Sequence, residues 1–363
     1  MKTKNDRDIN QRQVQLFIWI ATSCNYFLLF IVLISSCTNN INSPIKHFEG
    51  MPEEKLLPSK IYDLEEFGIL RPFNFIRIEN NSFVIYDVKN INLFNLVNLS
   101  SKQVIRGINK GQGTNEVLTP SSLLYRDNKI LVWDAILKKM NELVVSSDTT
   151  LTLKDHYVVD TETQILFFVN QLDSTLLATG RFEDYWLVEM SKDGKIISAI
   201  DFPKWKETKN ISNIALSSLF RDVKMANSPD NKRIVVAVKG FISFLDRTDY
   251  GIYEYKQIMY HPPKFAINER GSVSITGDNI TGFCAVDCDD KYVYALYSGR
   301  TYKSHQMKMG HCEHLFVYDW EGNPIKHYIL DIPIFNSISY DKEKNCIYGL
   351  AENPEGVLIE YQL

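Results

Sequence analysis

The chain has 363 residues, 45% hydrophobic and 12% aromatic, with a formal net charge of −4. That composition belongs to a folded globular protein and excludes a disordered one. The near-balanced charge, with no stripe of Lys and Arg, excludes the basic footprint of a nucleic-acid binder.

The first element is a leader. Residues 26–37 run Tyr-Phe-Leu-Leu-Phe-Ile-Val-Leu-Ile-Ser-Ser-Cys, an unbroken apolar stretch that ends in two small residues and Cys37. Residues 14–34 are long enough to read as a membrane-spanning helix, but Thr22-Ser23-Cys24-Asn25 interrupts them. The remaining apolar stretch, 26–34, has signal-peptide length. The segment before it is weakly positive, with Lys2, Lys4, Arg7 and Arg12 against Asp6 and Asp8. The pattern predicts a lipoprotein signal over residues 1–36, cleaved so that Cys37 becomes the first mature residue and carries the lipid. Each buried CH₂ of a palmitate-type chain contributes about 0.8 kcal/mol, so several chains together anchor firmly. About 325 residues then remain, enough for one large or two ordinary domains.

Residues 37–58 are polar and broken by Pro44, Pro52 and Pro58, and read as a flexible tether. Thr38 follows the cysteine, without an aspartate to signal inner-membrane retention. The start of the tether also lacks the acidic cluster that sends some lipoproteins to the cell surface. The expected address is the outer membrane, facing the periplasm, with surface exposure left open.

From residue 59 onward, short runs rich in β-branched and aromatic residues recur, each closed by Asn, Asp or Gly. They begin at Phe83, Ile130, Thr175, Ile234, Tyr292 and Cys346, spaced 47, 45, 59, 58 and 54 residues apart. A repeat of about four strands is the unit of a β-propeller blade. The expected fold is therefore all-β over 59–363, a six-bladed propeller with blades at 70–108, 115–157, 162–203, 213–257, 281–331 and 334–362. The last blade shows three strands, and Ser59–Leu64 supplies the fourth, closing the ring and removing an open edge. A β-sandwich is the competing architecture, but even repeats over this length fit radial symmetry better.

Gly111-Gln-Gly-Thr-Asn-Glu116, followed by Pro120 and Ile130–Asp134, resembles the Gly-x-Gly-x-x-Glu element of six-bladed propeller lipoproteins from Bacteroidetes. Tyr294–Arg300, Phe316–Gly322 and Pro324 are similar to the C-terminal signature of the TolB-like six-bladed propeller family of those bacteria. The resemblance implies a propeller and a lipid anchor. It implies no reaction.

Loops from strand b to strand c, and from strand d to the next strand a, share one face of a propeller. Lys110 with Gly111 and Gly113, Gly180-Arg181, Lys239-Gly240 and Gly299-Arg300 are expected there. Backbone N–H groups exposed by glycine, together with Lys and Arg, suit an anion. Hairpin chemistry with solvated charges accounts for the same pattern, and Asp87, Asp134 and Asp184 are placed to cancel the field. The candidate ligand-binding residues are thus Lys110, Gly111, Gly113, Glu116, Arg181, Lys239 and Arg300.

Once Cys24 and Cys37 are set aside, Cys284, Cys288, Cys312 and Cys346 remain. Cys284 and Cys288 fall on one strand about 13 Å apart, too far to bridge each other. Any bridge must reach Cys312 or Cys346, and packing as small buried apolar groups is the simpler expectation. With His311 and His314 these thiols form the nearest approach to a metal site, but the short Cys-x₂-Cys turn is missing.

Neither a nucleophile elbow nor a phosphate-binding loop is present. The sequence therefore favours a binding module, without cofactor or metal, for an envelope protein, peptide or anionic glycan. The alternative is a metal-assisted lactonase or lyase, for which Glu116 and Asp184 are the available carboxylates.

Overall fold

The computed structural model describes residues 43–363 apart from 80, 148, 162–164, 210, 270–271, 305–310 and 352. The expected leader and Cys37 lie outside the described residues.

Six antiparallel four-stranded blades are formed, and the recurrent apolar runs are their second strands. Blade one is Pro72–Arg77, Ser82–Asp87, Phe94–Asn98 and Gln103–Gly107. Blade two is Pro120–Arg126, Lys129–Asp134, Lys139–Ser147 and Thr150–Val158. Blade three is Leu166–Gln171, Thr175–Gly180, Tyr185–Ser191 and Ile196–Asp201. Blade four is Lys224–Asn227, Arg233–Val238, Phe241–Thr248 and Gly251–Met259. It begins later than the expected 213, because Asn213–Ser217 forms a short α-helix and Ser218–Phe220 a 3₁₀ turn.

Blade five is Ile280–Cys288, Tyr292–Thr301, Cys312–Asp319 and the first part of Pro324–Asp341. That long strand runs on without a turn into blade six, where its second part pairs with Cys346–Ala351. Ile334, paired with Cys312 of blade five and Ala351 of blade six, marks the change of blade, and the register shifts just beyond it, between Phe335 and Ile338, at Asn336, whose φ of 64° lies in the left-handed region. Asn is among the few non-glycine residues that tolerate it.

Blade six is completed by Val357–Gln362 and, antiparallel to it, Pro58–Asp63. The N-terminal strand thus closes the ring as expected. Glu360 fixes the closure: it accepts from Ser59 Oγ at 3.0 Å, Tyr62 Oη at 3.2 Å and Tyr348 Oη at 2.9 Å.

Alternating side chains bury apolar faces between neighbouring blades. Phe75, Phe83 and Ile85 of blade one meet Tyr348, Leu350 and Leu358 of blade six. Val84 and Phe94 meet Ile130 and Val132 of blade two. Leu131, Trp133 and Met140 meet Leu176 and Val188 of blade three. Leu177 and Trp186 meet Ile234 and Val236 of blade four. Phe244 packs 5.9 Å from Tyr318 of blade five, and Leu296 and Leu315 meet Ile347 and Ile359 of blade six.

Where the sequence reads 37–58 as a free tether, residues 43–56 form a strap on blade five. Pro44–His47 is a helical turn, Phe48 is buried against Phe316 and Tyr318, and Glu53–Leu56 pairs in parallel with His327–Leu330. One large aromatic and Leu56, both buried, outweigh the polar composition around them.

Candidate functional site

The first strands of all six blades surround a central channel of about 420 Å³. Each contributes polar groups, among them Asn74, Ser121, Asn170, Asn227, Asp287 and Ser337. Its charged lining is Arg77, Arg126 and Lys224 against Asp287. Arg77 is neutralised by Asp341 at 2.7 Å, which leaves two cations facing one carboxylate.

The two remaining cations are held by amides. Lys224 Nζ donates to Asn336 Oδ1 at 3.1 Å, and Arg126 donates to Asn227 Oδ1. Asn170 Nδ2 donates to that same Asn227 oxygen at 2.8 Å. Burial lowers the Lys224 pKa and the Lys239 charge adds to this, while Asp222 opposes both. Burial likewise lowers that of Arg126, against the pull of Cys288 and Asp287, although an arginine stays charged throughout. Burial pushes the Asp287 carboxyl up to about 6, despite the backbone N–H groups of Tyr340 and Cys288 at 2.7 and 2.9 Å and the Arg126 charge. With Arg77 paired, Arg126 and Lys224 stand opposite a single channel carboxylate, and below about pH 6, as Asp287 protonates, the channel becomes more positive. Ser121 Oγ, Ser337 Oγ and Asn170 Oδ1 are buried with no hydrogen-bond partner among the described residues. The two hydroxyls are donors available to a bound group.

The channel widens at one end into a vestibule of about 370 Å³, on the face that carries the b–c and d–a loops. Asn74, Ser121, Ser122, Phe168, Lys224 and Asn336 line both spaces and form the neck between them.

The residues singled out in the sequence fall elsewhere. None of Lys110, Gly111, Gly113, Glu116, Arg181, Lys239 or Arg300 lines the channel or the vestibule. Lys110 is exposed in a short strand, Asn109–Lys110, which pairs with Glu116–Val117. Glu116 accepts the Gly113 N–H at 2.7 Å, and a Cβ on Gly111 would stand 2.0 Å from its Oε2. This glycine loop is thus closed around the chain's own carboxylate. Arg181 is exposed in the turn after Thr175–Gly180. Arg300 belongs to strand Tyr292–Thr301 rather than to a turn, and pairs with Glu313. Lys239 comes nearest the neck: it is buried, with Asp222 at 3.5 Å and the Tyr302 hydroxyl at 2.6 Å.

Asp87 and Asp134 are pins in the architecture. Asp87 accepts the N–H groups of Leu70, Arg71 and Lys89, and Asp134 those of Leu118, Ile136 and Leu137. Each ties a d–a loop to a b–c loop. Asp184, in the loop after Arg181, is exposed.

Cys284 and Cys312 form a disulfide, where unbridged packing was the simpler expectation, and Cys288 and Cys346 are free thiols. The bridge removes two thiolates from the proposed metal cluster. His314 Nδ1 faces His327 Nε2 at 3.0 Å. Among the described residues no group of three or more His, Cys, Asp or Glu is arranged to hold a metal ion.

Lys224 and Arg126 carry no turn signal, because each sits within or at the end of an inner strand. The legible signal was a cation inside an inner strand, in Lys224-Met-Ala-Asn227 and in Leu123-Leu-Tyr-Arg126.

Residues 50–341 match the family model described as TolB-like 6-blade propeller-like. Among solved structures, the chain is similar to a member of the DUF4221 family from Bacteroides vulgatus, at 9% identity and a TM-score of 0.51, covering 85% of this chain and 97% of that one. It is also similar to regucalcin, a calcium-binding protein from Agrobacterium tumefaciens, at 12% identity and a TM-score of 0.49, covering 85% and 95%. No curated protein matches it. At these identities the likeness concerns the fold alone.

Proposed function

Because the chain belongs to the TolB-like 6-blade propeller-like family, we propose that it is a propeller binding module, held to the envelope by a lipid on Cys37, whose central channel seats an anionic ligand. A propeller does not by itself specify a function. The observation that carries the reading is the pair of buried channel cations, Lys224 and Arg126, whose hydrogen-bond partners are Asn336 and Asn227. A buried cation whose hydrogen bonds go to neutral amides, with its nearest carboxylates (Asp222 for Lys224, Asp287 for Arg126) acting only through space, is under-compensated. An anion entering the channel supplies the missing charge and meets the free hydroxyls of Ser121 and Ser337.

The ligand is the negatively charged part of a peptide, of a glycan or of a small metabolite, presented to the protein at the outer membrane. The metal-assisted enzyme has less support: Glu116 and Asp184 do not line the channel, and Asp287 is its only carboxylate among the described residues.

Two experiments test the proposal. Sulfate, titrated calorimetrically at low ionic strength, binds the parent and fails to bind Lys224→Met with Arg126→Met; equal binding by both proteins ends the reading of the channel. Radiolabelled palmitate fed to cells is incorporated into the parent and not into Cys37→Ser; labelling of both ends the anchor.

A further inference from the structure

We propose that the vestibule makes this protein selective for organic carboxylates that carry an apolar ring or chain, the acid lodging at Lys224 and the body lying against the wall built by blades one to three. The inference rests on the channel being an anion seat and names the class of anion.

The vestibule has two unlike sides. Its apolar side is Phe73, Tyr86 and Phe94 from blade one, Pro120 from blade two and Phe167 from blade three. Phe73 is 44% exposed, edge-on to Tyr86 with ring centres 6.1 Å apart, and Tyr86 stacks on Phe94 at 5.3 Å. What marks the Phe73 ring is that it is exposed beside a cavity and joins Tyr86, Pro120 and Phe167 in an apolar wall, rather than standing as a single exposed side chain. The charged side is the segment Arg221–Lys224 leading into blade four, where the Asp222 carboxylate also lines the space but is paired with Lys239 at 3.5 Å, leaving Arg221 and Lys224 as the cations. The Arg221 guanidinium lies 5.6 Å from the centre of the Phe167 ring, at the meeting of the two sides, and Lys224 stands at the neck below.

A ligand that satisfies both sides needs a negative head and an apolar body on one short frame. An acidic sugar satisfies the first and part of the second: Asn74, Thr119, Ser122 and the Tyr86 hydroxyl can take some of its hydroxyls, but Phe73, Pro120 and Phe167 leave those that face them without a partner. A bare inorganic anion leaves the aromatic wall wet. The same chemistry occurs in a free aryl or alkyl acid and in the C-terminal residue of a peptide, so both belong in the test.

Affinities of the purified protein are measured by calorimetry for sulfate, acetate, 3-phenylpropionate, 3-phenylpropanol, glucuronate and acetyl-Gly-Phe with a free C-terminus. Phenylpropionate or the peptide binds at least tenfold tighter than acetate, and phenylpropanol at least tenfold weaker than phenylpropionate. The tighter of the two acids identifies the source. Phe73→Ala with Phe167→Ala abolishes the advantage of the ring and leaves acetate and sulfate unchanged. Phe73→Leu, which keeps an apolar side chain, retains part of it and controls for folding. Phenylpropionate no tighter than acetate, glucuronate tighter than either ring-bearing acid, or an advantage that survives the double substitution overturns the selectivity while sulfate still binds. Failure of the parent to bind sulfate overturns the anion seat itself, and this inference with it.

Discussion

Lys224 of blade four and Asn336 of blade six face each other across the neck of the channel, with Nζ 3.1 Å from Oδ1. Asn336 also donates from Nδ2 to the Phe73 carbonyl of blade one at 2.6 Å. One side chain, on a left-handed backbone just past the point where the long strand changes blade, therefore joins three blades and positions Lys224, the only cation of the neck among the described residues. Asn336→Ala removes both bonds and leaves Lys224 without an amide partner. We expect a loss of about 1–3 kcal/mol in urea denaturation and a weaker hold on sulfate, whereas Lys224→Met is at least as stable as the parent but blind to sulfate. An Asn336→Ala protein as stable as the parent would remove the neck from the account.

Asp287 gives the anion seat a pH dependence of predictable sign. Its carboxyl is raised to about 6 by burial, so it is ionised at pH 7.5 and largely neutral at pH 5. Loss of that negative charge leaves Arg126 and Lys224 less compensated, and sulfate, whose own charge is constant over this range, binds several-fold tighter at pH 5 than at pH 7.5. Phosphate is unsuitable because it titrates in the same window. Sulfate affinity that is flat across the range, measured by calorimetry at constant ionic strength, contradicts the assignment.

The ring was legible in the sequence because its six second strands are its most apolar ones. Residues beginning at Phe83, Ile130, Thr175, Ile234, Tyr292 and Cys346 are covered on both faces by neighbouring blades, which makes them read as short continuous runs. The closing strand was legible for a different reason, since a blade with three strands requires a fourth. The site was not legible. Inner strands mix polar with apolar residues where they border the channel, and the partners that give Lys224 and Arg126 their meaning lie 112 and 101 residues away in sequence. The strap at 43–56 was hidden in the same way: the value of Phe48 depends on Phe316 and Tyr318, which no local pattern announces.

Closure of the ring depends on Glu360. Its carboxylate collects Tyr348, Ser59 and Tyr62 with Lys60 at 3.4 Å, and these partners hold its pKa down although burial alone would raise it. Glu360→Ala leaves those hydroxyls facing an empty space and should cost about 2–4 kcal/mol by denaturant unfolding, with faster proteolysis at the freed N-terminal strand. Glu360→Gln keeps the acceptor and loses less. Equal losses for the two variants would mean that packing, not the hydrogen bonds, fastens the last strand.

The bridge between Cys284 and Cys312 spans 28 residues and ties the first strand of blade five to its third. Cross-linking a loop of that length stabilises by roughly 2–4 kcal/mol, mainly by restricting the unfolded chain. Cys284→Ala with Cys312→Ala should lose that amount and become insensitive to reductant, whereas Cys288→Ala and Cys346→Ala, which keep the bridge, should lose stability in reductant as the parent does. Alkylation of the oxidised, denatured protein followed by peptide mapping labels Cys288 and Cys346 and spares the pair. Label on Cys284 or Cys312 refutes the pairing.

His261 contributes a second pH effect, on stability. Its Nε2 lies 3.1 Å from the Tyr297 hydroxyl, and burial, with a smaller push from the Lys264 charge, lowers its pKa to about 4 from the ordinary 6.5. The native state therefore binds this proton less tightly than the unfolded chain does. The neutral ring contributes its full stability above pH 6.5, and that contribution is lost as the pH falls from 6.5 towards 4, with a slope of at most about 1.4 kcal/mol per pH unit for one proton. Asp287 acts in the opposite direction over the same range, because its raised pKa favours the folded state as it protonates. His47, His314 and His327, all lowered chiefly by burial, act in the same direction as His261. The difference between parent and variant isolates one ring from this sum. His261→Gln should flatten the fall in urea midpoint between pH 6.5 and 4.5 by up to one proton's worth while lowering the midpoint at pH 7.5. A variant whose midpoints run parallel to those of the parent would show that the His261 proton is not linked to folding.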